Sequence, residues 1–469
     1  MRTIFLFCLV LTTALSPAVG QERLRIHGSN TVGEKLAPEL ASAWLQAEGF
    51  SDIRRVEVAF EEIELHARRG ASTRVVEIHA HGSSTGFKDL ASGSADVAMS
   101  SRPSTAADAV AAVGKLDSSE QEIVLALDGL AVIVHPRNSQ RNLSKSQLQA
   151  VFAGRIQDWS ELGRSERDRS ERGRSELGRS EQGQPRGRIV LHARDEKSGT
   201  WESFRTLVLG SEALSTSALR YESTAQLAAA VAADPAAIGF VGLAGVQGVR
   251  ALGISDGGAA VTPSREEVAV EDYPLSRRLY FYLPASPHTL SRSFIEFCLA
   301  RDGQALVEKV GFISQNIRAY AGVPRVDAPQ DYQLLVKGAK RLSLNFRFGS
   351  GAAFLDNKAQ RDLDRLAAFM QQPDQQDQSL MLLGFSDADE ALPVLAVALS
   401  NERVDYVANR LAERGVDPAR SRGMGGAAPV AANDSQLGKQ RNRRVEVWLR
   451  QAGPRTASTV GASAAAGIN

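Results

Sequence analysis

Three short stretches rich in glycine, serine and threonine each run directly into a predicted helix. They are GSNTVGEKL (28–36), GSSTGFKDL (82–90) and RDEKSGTWESF (194–204). The first turn of a helix presents N–H groups without intrahelical partners and a partial positive charge, so it can bind an anion. Hydroxyl groups add donors, and glycine lets the backbone approach closely. Arg194, four residues before Ser198, would add a bidentate donor. The three stretches together predict a site for a tetrahedral oxyanion.

Each stretch taken singly is typical of an ordinary helix N-cap, in which a serine or threonine side chain accepts from the first turn. The oxyanion interpretation therefore depends on all three helix ends converging, with the arginine before the third. Convergence is a property of the fold, so the elements between the stretches have to supply it.

From Leu24 to about Ile317 the sequence alternates short apolar strands with amphipathic helices. One predicted helix, Gly33–Gln46, has Leu36, Leu40 and Trp44 on one face. Because strands and helices alternate, we expect an α/β fold with largely parallel sheets, and nearly 300 residues indicate two lobes. The predicted strands are LRIHG, VVEIHAHG, DVAMS, GLAVIVHP, RIVLHAR and AIGFVGL.

A second, smaller unit is predicted over residues 341–450, after a proline-containing linker at 319–340. Its strands and helices alternate as β-α-β-α-β, which indicates a small α+β domain. The last strand, RRVEVWL, alternates basic and apolar residues, and we expect it to lie at a sheet edge with its arginines in solvent. The tail at 451–469 is of low complexity.

The first twenty residues combine Arg2, a short apolar run and small residues at the spacing that a signal peptidase needs. We therefore expect residues 1–20 to be a signal peptide, with the mature chain beginning at 21. About 12 apolar residues are too few to cross a membrane, and no later segment is longer and as apolar. Cys298 would then be the only cysteine, so no internal disulfide is expected.

Charge and motif content argue against nucleic-acid binding and against catalysis. The 55 basic and 54 acidic side chains give a net charge of +1, so there is no basic field for nucleic acid. No Gly-x-Ser-x-Gly or complete P-loop motif occurs. His79 and His81 would share one face of a strand and offer two metal ligands, but the sequence suggests no third. We expect no enzyme activity, no cofactor and no metal.

A repeat of Glu-x-x-Arg-Ser occupies 161–185 and holds six arginines and six acidic residues up to Glu181. Its net charge is zero and it has no aromatic residue to stack on a base, which disfavours RNA binding. We interpret it as a low-complexity insertion in a surface loop of the first unit.

The motifs GSNTV, GSSTGFKDLASGSADVAMSSRP, DGLAVIVHP, RDEKSGTWESF and FIEFCLARDGQALVEKVGFI occur in the order found in PstS-type phosphate-binding proteins. Residues 24–318 resemble that family, which implies a two-lobed periplasmic-binding-protein fold of type II over residues 21–318. The resemblance implies an oxyanion site built from helix ends and Arg194. Its members are Ser29, Asn30, Thr31, Val32, Ser83, Ser101, Arg194, Ser198, Gly199 and Thr200.

Ser101 stands where several phosphate-binding relatives have an aspartate. A carboxylate there would accept the proton of hydrogenphosphate and reject fully ionised sulfate, since charges would be left unpaired. A serine hydroxyl can also accept the hydrogen bond from hydrogenphosphate, but it carries no charge that would reject sulfate. Phosphate is favoured, and another oxyanion stays open as the alternative.

The second unit, with LLGFSDADE, LSNERVDYV and NRRVEV, resembles the OmpA C-terminal domain, a peptidoglycan-binding module. The resemblance implies that Asp387 and Arg403 hold the ammonium and the carboxylate of diaminopimelate in the stem peptide. Two departures bear on this pocket. Ala396 replaces a usual asparagine, and the loop before LSNERV is one residue longer.

The combined resemblance implies a phosphate-binding protein of the Gram-negative periplasm, anchored to peptidoglycan and serving uptake through an ABC permease or sensing. An anchored protein cannot diffuse freely to an inner-membrane permease. The alternative is therefore a structural or interaction protein of the cell envelope, whose oxyanion site is vestigial or regulatory.

Overall fold

The computed structural model describes residues 22–109, 115–162, 187–196, 198–322, 328–349, 354–390, 392–434 and 436–451. The predicted signal peptide, and nearly all of the repeat at 161–185 and of the tail at 451–469, lie outside these ranges.

The first stretch of the first unit runs from residue 22 to residue 152 as a succession of strands and helices. The predicted apolar stripe of the second helix is confirmed, because Leu36, Leu40 and Trp44 are all buried. The elements are β1 (Glu22–Gly28), α1 (Asn30–Gly33), α2 (Leu36–Ala47), β2 (Ser51–Ala59), β3 (Glu62–Arg69), β4 (Ser72–His79), α3 (Ser83–Ser92), β5 (Val97–Ser100), β6 (Glu122–Val134), β7 (Asn142–Ser144) and α4 (Lys145–Phe152).

The second stretch of the first unit runs from residue 187 to 310. A π-helical turn at Arg205–Leu209 continues the helix that follows Ser198. The elements are β8 (Val190–Arg194), α5 (Gly199–Phe204), β9 (Leu219–Tyr221), α6 (Thr224–Ala233), β10 (Ala237–Gly242), β11 (Arg250–Ala251), β12 (Gly253–Ser255), α7 (Arg265–Ala269), β13 (Ser276–Tyr282), α8 (Thr289–Leu299) and α9 (Arg301–Val310).

One sheet with the order β2-β3-β4-β1-β5-β13-β6-β10-β8-β9 runs through this unit, and β11 also pairs with β6. The sheet is mixed rather than largely parallel. β1 is parallel to β4 and β5, whereas β13 is antiparallel to β5 and β6. The antiparallel β2–β3 hairpin was not predicted, because β2 is exposed along most of its length and has no buried face.

Two separate apolar cores show that this unit has two lobes. The first is built around Trp44, Phe281 and Phe294, and the second around Phe152 and Phe240. Strand β6 belongs to both, since its first half pairs with β13 and its second half with β10. The crossing between the lobes therefore lies in the middle of β6, and β13 pairs with it there.

The C-terminal unit is a five-stranded sheet with the order β14-β15-β18-β16-β17. Helices pack on both of its faces. One apolar core includes Leu363, Leu382 and Val447, and a second core on the opposite face includes Tyr332, Leu383 and Trp448. The elements are β14 (Ala319–Ala321), α10 (Gln330–Val336), β15 (Lys340–Arg347), α11 (Asn357–Met370), β16 (Gln378–Gly384), α12 (Pro393–Ala412), β17 (Arg420–Gly423), α13 (Gln436–Asn442) and β18 (Arg444–Gln451).

The predicted linker at 319–340 is wrong for its described part, because these residues belong to the C-terminal unit. β14 is an edge strand on β15. In α10, Tyr332 packs beside Trp448 and donates a hydrogen bond to Glu446 at 2.9 Å. The two prolines interrupt the sequence pattern, but Tyr332 and Val336 of α10 still pack in the apolar core around Trp448.

The prediction of a solvated edge strand at β18 is also wrong. β18 lies in the middle of the sheet between β15 and β16, and Arg444 is buried. Its guanidinium stacks on Phe385 at 3.9 Å and donates to Glu446 at 2.9 Å. Burial raises the pKa of Glu446, but Arg341 and Arg444 together lower it to about 2. Paired charges thus allow basic residues in a buried strand.

The two units contact each other through buried charges. Arg341 and Arg347 of β15 both donate to Asp272 of the second lobe, at 3.2 and 3.1 Å. Arg278, at the start of β13, bridges Glu271 and Asp356. Although burial raises the pKa of Glu271, Arg278 holds it well below its usual value. The C-terminal unit therefore packs directly against the crossing between the lobes.

Within the described ranges, the structure has no helix that is both long enough and apolar enough to cross a membrane.

Candidate functional site

All three hydroxyl-rich stretches lead into helices, as predicted. α1 begins after Ser29, α3 after Gly82 and α5 after Ser198, whose side chain caps its helix by accepting from the Thr200 N–H at 3.2 Å. Gly28 has φ +136°, and a Cβ there would lie 2.1 Å from the carbonyl oxygen of Met99. Only glycine fits this approach between β1 and β5, which sets the position of the first helix end.

The first and third helix ends meet across the two lobes. A Cβ added to Gly199 would lie 2.0 Å from Oγ1 and 2.7 Å from the backbone nitrogen of Thr31. The two backbones are therefore in direct contact at the cleft. Two of the predicted oxyanion residues, one from each lobe, are brought together by the fold.

Arg277 joins these two helix ends, and sequence reasoning missed it. Its Nη2 donates to Thr31 Oγ1 at 3.0 Å and to the Gly199 carbonyl at 3.4 Å. The same guanidinium is paired with Asp128 at 2.9 Å, beside the crossing in β6. Both side chains are buried. The feature that could have identified Arg277 is its position in β13, which passes between the lobes beside β6.

The second helix end is linked to the third by a chain of hydrogen bonds. The Ser101 N–H donates to Ser83 Oγ at 3.2 Å, and Ser101 Oγ donates to the Glu202 carboxylate at 3.3 Å. Glu202 lies in the first turn of α5, two residues after the Ser-Gly-Thr motif at 198–200. A carboxylate thus stands next to Ser101, although the sequence has serine where an acid was considered. Sequence reasoning did not identify Glu202.

The remaining residues of the first helix end lie close by. Ser29 is buried, and its hydroxyl has no hydrogen-bond partner in the described part of the chain. Asn30 Oδ1 lies 3.9 Å from the position of a Cβ on Gly82, so the first and second helix ends are neighbours. The side chain of Val32 belongs to the core of the first lobe, which leaves only its backbone for ligand binding.

Arg194 has other partners in this structure. Its Nε donates to the Tyr221 carbonyl, Nη1 to Thr224 Oγ1 and Nη2 to the Glu222 carbonyl, at 3.2, 2.6 and 2.8 Å. No hydrogen bond or ion pair joins it to Thr31, Ser83 or Ser101 in the described ranges. The structure places Arg194 under the β9–α6 turn, so its predicted role needs a rotation of the side chain.

A cavity of about 450 Å³ opens beside Ser101 and Glu202. Both lobes and the C-terminal unit line it, with six cationic and four acidic side chains. The lining residues are Ser101, Arg102, Pro103, Glu122, Lys145, Glu202, Ser203, Thr206, Leu207, Glu271, Ser276, Arg277, Arg278, Tyr280, Arg347, Asp356, Gln440 and Arg441. The cleft between the lobes therefore faces the C-terminal unit.

The two residues that the OmpA-like resemblance assigns to peptidoglycan, Asp387 and Arg403, are both buried. Asp387 accepts from Arg443 Nε at 2.6 Å and from the Asp389 N–H at 2.9 Å. Arg403 has an exposed fraction of 0%. Its two terminal nitrogens form a bidentate pair with Glu390, at 2.9 and 2.5 Å. The arginine fork is thus occupied by a carboxylate of the chain itself.

Glu390 comes from the loop that is one residue longer than in the OmpA-like pattern. The same carboxylate lies 3.7 Å from Arg443, so Asp387, Glu390, Arg403 and Arg443 form one buried ion network. Ala396 is buried at the start of α12. A carboxylate from this loop therefore occupies the Arg403 fork.

Two lobes that share the strand β6, with polar groups from both meeting at the cleft, define a two-lobed solute-binding protein. Residues 57–302, just over half of the sequence, match the family model described as "PBP superfamily domain". The chain belongs to this superfamily. Residues 347–443 match the model of the OmpA family, so an OmpA domain follows the binding unit.

Curated relatives include Protein SphX of Synechocystis, 28% identical over 52% of this chain and 71% of that protein. Phosphate-binding protein PstS of Pseudomonas aeruginosa is 28% identical over 51% of this chain and 73% of its own length. A solved ABC-type phosphate transport receptor from Vibrio cholerae is 23% identical and covers 62% of this chain and 99% of its own, with a TM-score of 0.46.

Proposed function

We propose that this chain binds phosphate in the cleft between its two lobes and associates with peptidoglycan through its OmpA domain, in the periplasm. The observation that carries the first part is the meeting of Thr31 and Gly199 under Arg277. The names of the curated relatives support phosphate as the anion. We assign residues 21–318 to the binding unit and begin the C-terminal unit at 319.

The cleft supplies donors from both lobes around a guanidinium whose charge is already paired. Thr31 Oγ1 accepts from Arg277, so its own hydroxyl hydrogen is directed elsewhere and can donate to an anion. The charge of Arg277 is balanced by Asp128. An oxyanion would therefore be held mainly by N–H and O–H groups of the helix ends, and the lobes would have to separate to admit it.

Glu202 supplies the negatively charged acceptor that Ser101 cannot supply. Its carboxylate accepts from Ser101 Oγ at the edge of the cleft. Hydrogenphosphate can donate its proton to such a carboxylate, whereas fully ionised sulfate has no proton and would face an uncompensated negative charge. We therefore expect the site to prefer phosphate to sulfate.

Isothermal titration calorimetry of the mature chain tests this proposal. Wild type should bind phosphate and give little heat with sulfate, and Glu202→Gln should lose most of the discrimination while keeping phosphate binding. Arg194→Ala tests whether that arginine turns into the site, since its present contacts are only to the β9–α6 region. No heat with either anion would overturn the proposal.

We rest peptidoglycan association on Asp387 and Arg403, which the buried ion network with Glu390 and Arg443 connects. Binding of a diaminopimelate carboxylate requires that Glu390 leave the Arg403 fork. Co-sedimentation with purified cell walls should decrease in Asp387→Ala and in Arg403→Lys, which keeps the charge but not the fork. Unchanged pelleting of both folded variants would contradict this pocket as the anchor.

Uptake and sensing share the binding step and differ in its consequence. If the chain supplies an ABC permease, deletion of its gene should lower the initial rate of phosphate uptake by cells. If it senses phosphate at the cell wall, uptake should be unchanged while the response to phosphate limitation is altered. The contacts of the OmpA domain beside the cleft favour sensing. Arg277 lies at the cleft and its neighbour Arg278 contacts the C-terminal unit, so closure of the lobes on phosphate and packing of the OmpA domain involve the same strand.

A further inference from the structure

Strands β1, β3 and β4 form a ladder whose two faces differ sharply. One face is apolar and lies in the core of the first lobe, with Leu24, Ile26, Leu65, Val76 and Ile78. The opposite face consists of charged and imidazole side chains at alternate positions. They are Arg23, Arg25 and His27 on β1, Glu62, Glu64 and His66 on β3, and Glu77 and His79 on β4.

The pairing register places the chemically useful residues side by side. His27 of β1 pairs with His79 of β4, and Glu62 of β3 pairs with His79 from the other side. Four of the seven histidines of the chain, at positions 27, 66, 79 and 81, lie on or next to these strands. Sequence analysis considered only His79 with His81, because the other ligands come from neighbouring strands.

Three side chains converge on a single point. Glu77 Oε1 lies 2.9 Å from His27 Nε2 and 3.4 Å from His79 Nε2. The two imidazole rings are stacked, with centroids 4.1 Å apart and an angle of 15° between their planes. One ligand atom from each of the three residues lies within 4.8 Å of the others. Tetrahedral Zn²⁺ with bonds of about 2.0–2.1 Å places its ligand atoms about 3.3 Å apart, and the two distances from Glu77 Oε1 to the imidazole nitrogens, 2.9 and 3.4 Å, lie close to that value.

A fourth donor stands next to the three. Glu62 Oε2 lies 3.7 Å from His79 Nε2, and the other carboxylate oxygen, Oε1, lies 2.9 Å from His81 Nε2. Two imidazoles and two carboxylates make an N₂O₂ set, which suits zinc and related divalent transition metals better than magnesium or calcium.

The cluster also has the supporting contacts that are typical of a metal site. His27 is buried, and its Nδ1 lies 2.9 Å from the Asp89 carboxylate of α3, which fixes the ring with Nε2 toward Glu77. Arg23 holds the second oxygen of Glu77 at 2.6 Å. The side chain of His79 is 24% exposed, which leaves a path from solvent.

We propose that His27, Glu77 and His79, with Glu62 as fourth ligand, bind one divalent transition metal ion of the zinc class on the outer face of the first lobe. This proposal is independent of phosphate binding, since within the described ranges no hydrogen bond or ion pair joins the side chains of these four residues to Thr31, Ser83, Ser101 or Gly199. It replaces the expectation of no metal, which was based on His79 and His81 alone.

The test uses the mature chain without a histidine tag, stripped with EDTA and transferred to phosphate-free buffer at pH 7.5. Competition of ZnCl₂ between the protein and a chromophoric chelator should show one tight equivalent. His79→Gln should weaken that equivalent by at least 100-fold. His66→Gln is the matched control, because His66 lies on the same face but pairs with Glu64, and it should bind Zn²⁺ as wild type does.

A second measurement keeps the result independent of folding. Co²⁺ bound by wild type should give the intense visible absorption of a tetrahedral site, and His27→Gln, checked by circular dichroism, should lose it. Mg²⁺ should not compete. If His79→Gln and His66→Gln bind Zn²⁺ equally, or if wild type binds none, the cluster is an ion-pair network only and the proposal is wrong.

Discussion

The cleft and the OmpA pocket each contain a buried arginine paired with a carboxylate, but the two pairs have opposite consequences for a ligand. Arg277 donates to Asp128 through Nε and Nη2, and the same Nη2 also donates to Thr31 and Gly199, so the pair builds the cleft. Arg403 uses both terminal nitrogens for Glu390, so the pair fills the pocket. The two arginines therefore differ in what they hold: Arg277 joins groups of two helix ends at the cleft, whereas both terminal nitrogens of Arg403 are taken by a single carboxylate.

The difference extends to the number of partners. Asp128 pairs with Arg277 alone among the side chains that the structure describes. Glu390 has Arg403 and, at 3.7 Å, also Arg443. Removing one arginine should consequently have unequal effects in the two regions.

The largest expected effect is on stability at the lobe crossing. Arg277→Ala leaves Asp128 buried without its partner, which should lower the free energy of unfolding by about 3–5 kcal/mol. Arg403→Ala leaves Glu390 close to Arg443 and should cost less. Urea denaturation of both variants measures the difference. An equal or smaller loss in Arg277→Ala would contradict the contrast drawn between the two pairs.

The next effect concerns closure of the cleft. In Gly199→Val the new side chain would overlap Thr31, whose Oγ1 lies 2.0 Å from the Cβ position. Separation of the lobes relieves the overlap, so the fold should persist while phosphate affinity falls by roughly 100-fold, or about 2.7 kcal/mol. Calorimetry measures it. Gly242→Ala is the control, because a Cβ there meets nothing within 4 Å.

The smallest effect should be a gain. Glu390→Gln removes the charge that competes with a ligand carboxylate for Arg403, and affinity for a diaminopimelate-containing stem peptide should rise roughly tenfold. Fluorescence anisotropy with a labelled peptide measures it. Asp389→Asn is the matched control, since this neighbouring acid is exposed and pairs with Lys439 instead. A lower affinity in Glu390→Gln would mean that the acid belongs to the binding site.

Local features of the fold were predictable from the sequence. The apolar stripe of α2, the helices after the three hydroxyl-rich turns and the alternation of strands and helices all depend on residues a few positions apart. Periodicity and capping chemistry specify such features directly. The departures of the OmpA-like loop were also visible in the sequence, although their consequence was not.

Only the tertiary structure decided which side chains act together. Arg277 reaches Thr31 across 246 positions, and Ser101 donates to Glu202 across 101. His27 meets Glu77 only because β1 and β4 are parallel neighbours. Long charged side chains choose partners by position in space, and that position follows from sheet order and lobe packing rather than from spacing along the chain. For the same reason Arg194 lies on the β9–α6 turn and Glu390 fills the fork of Arg403.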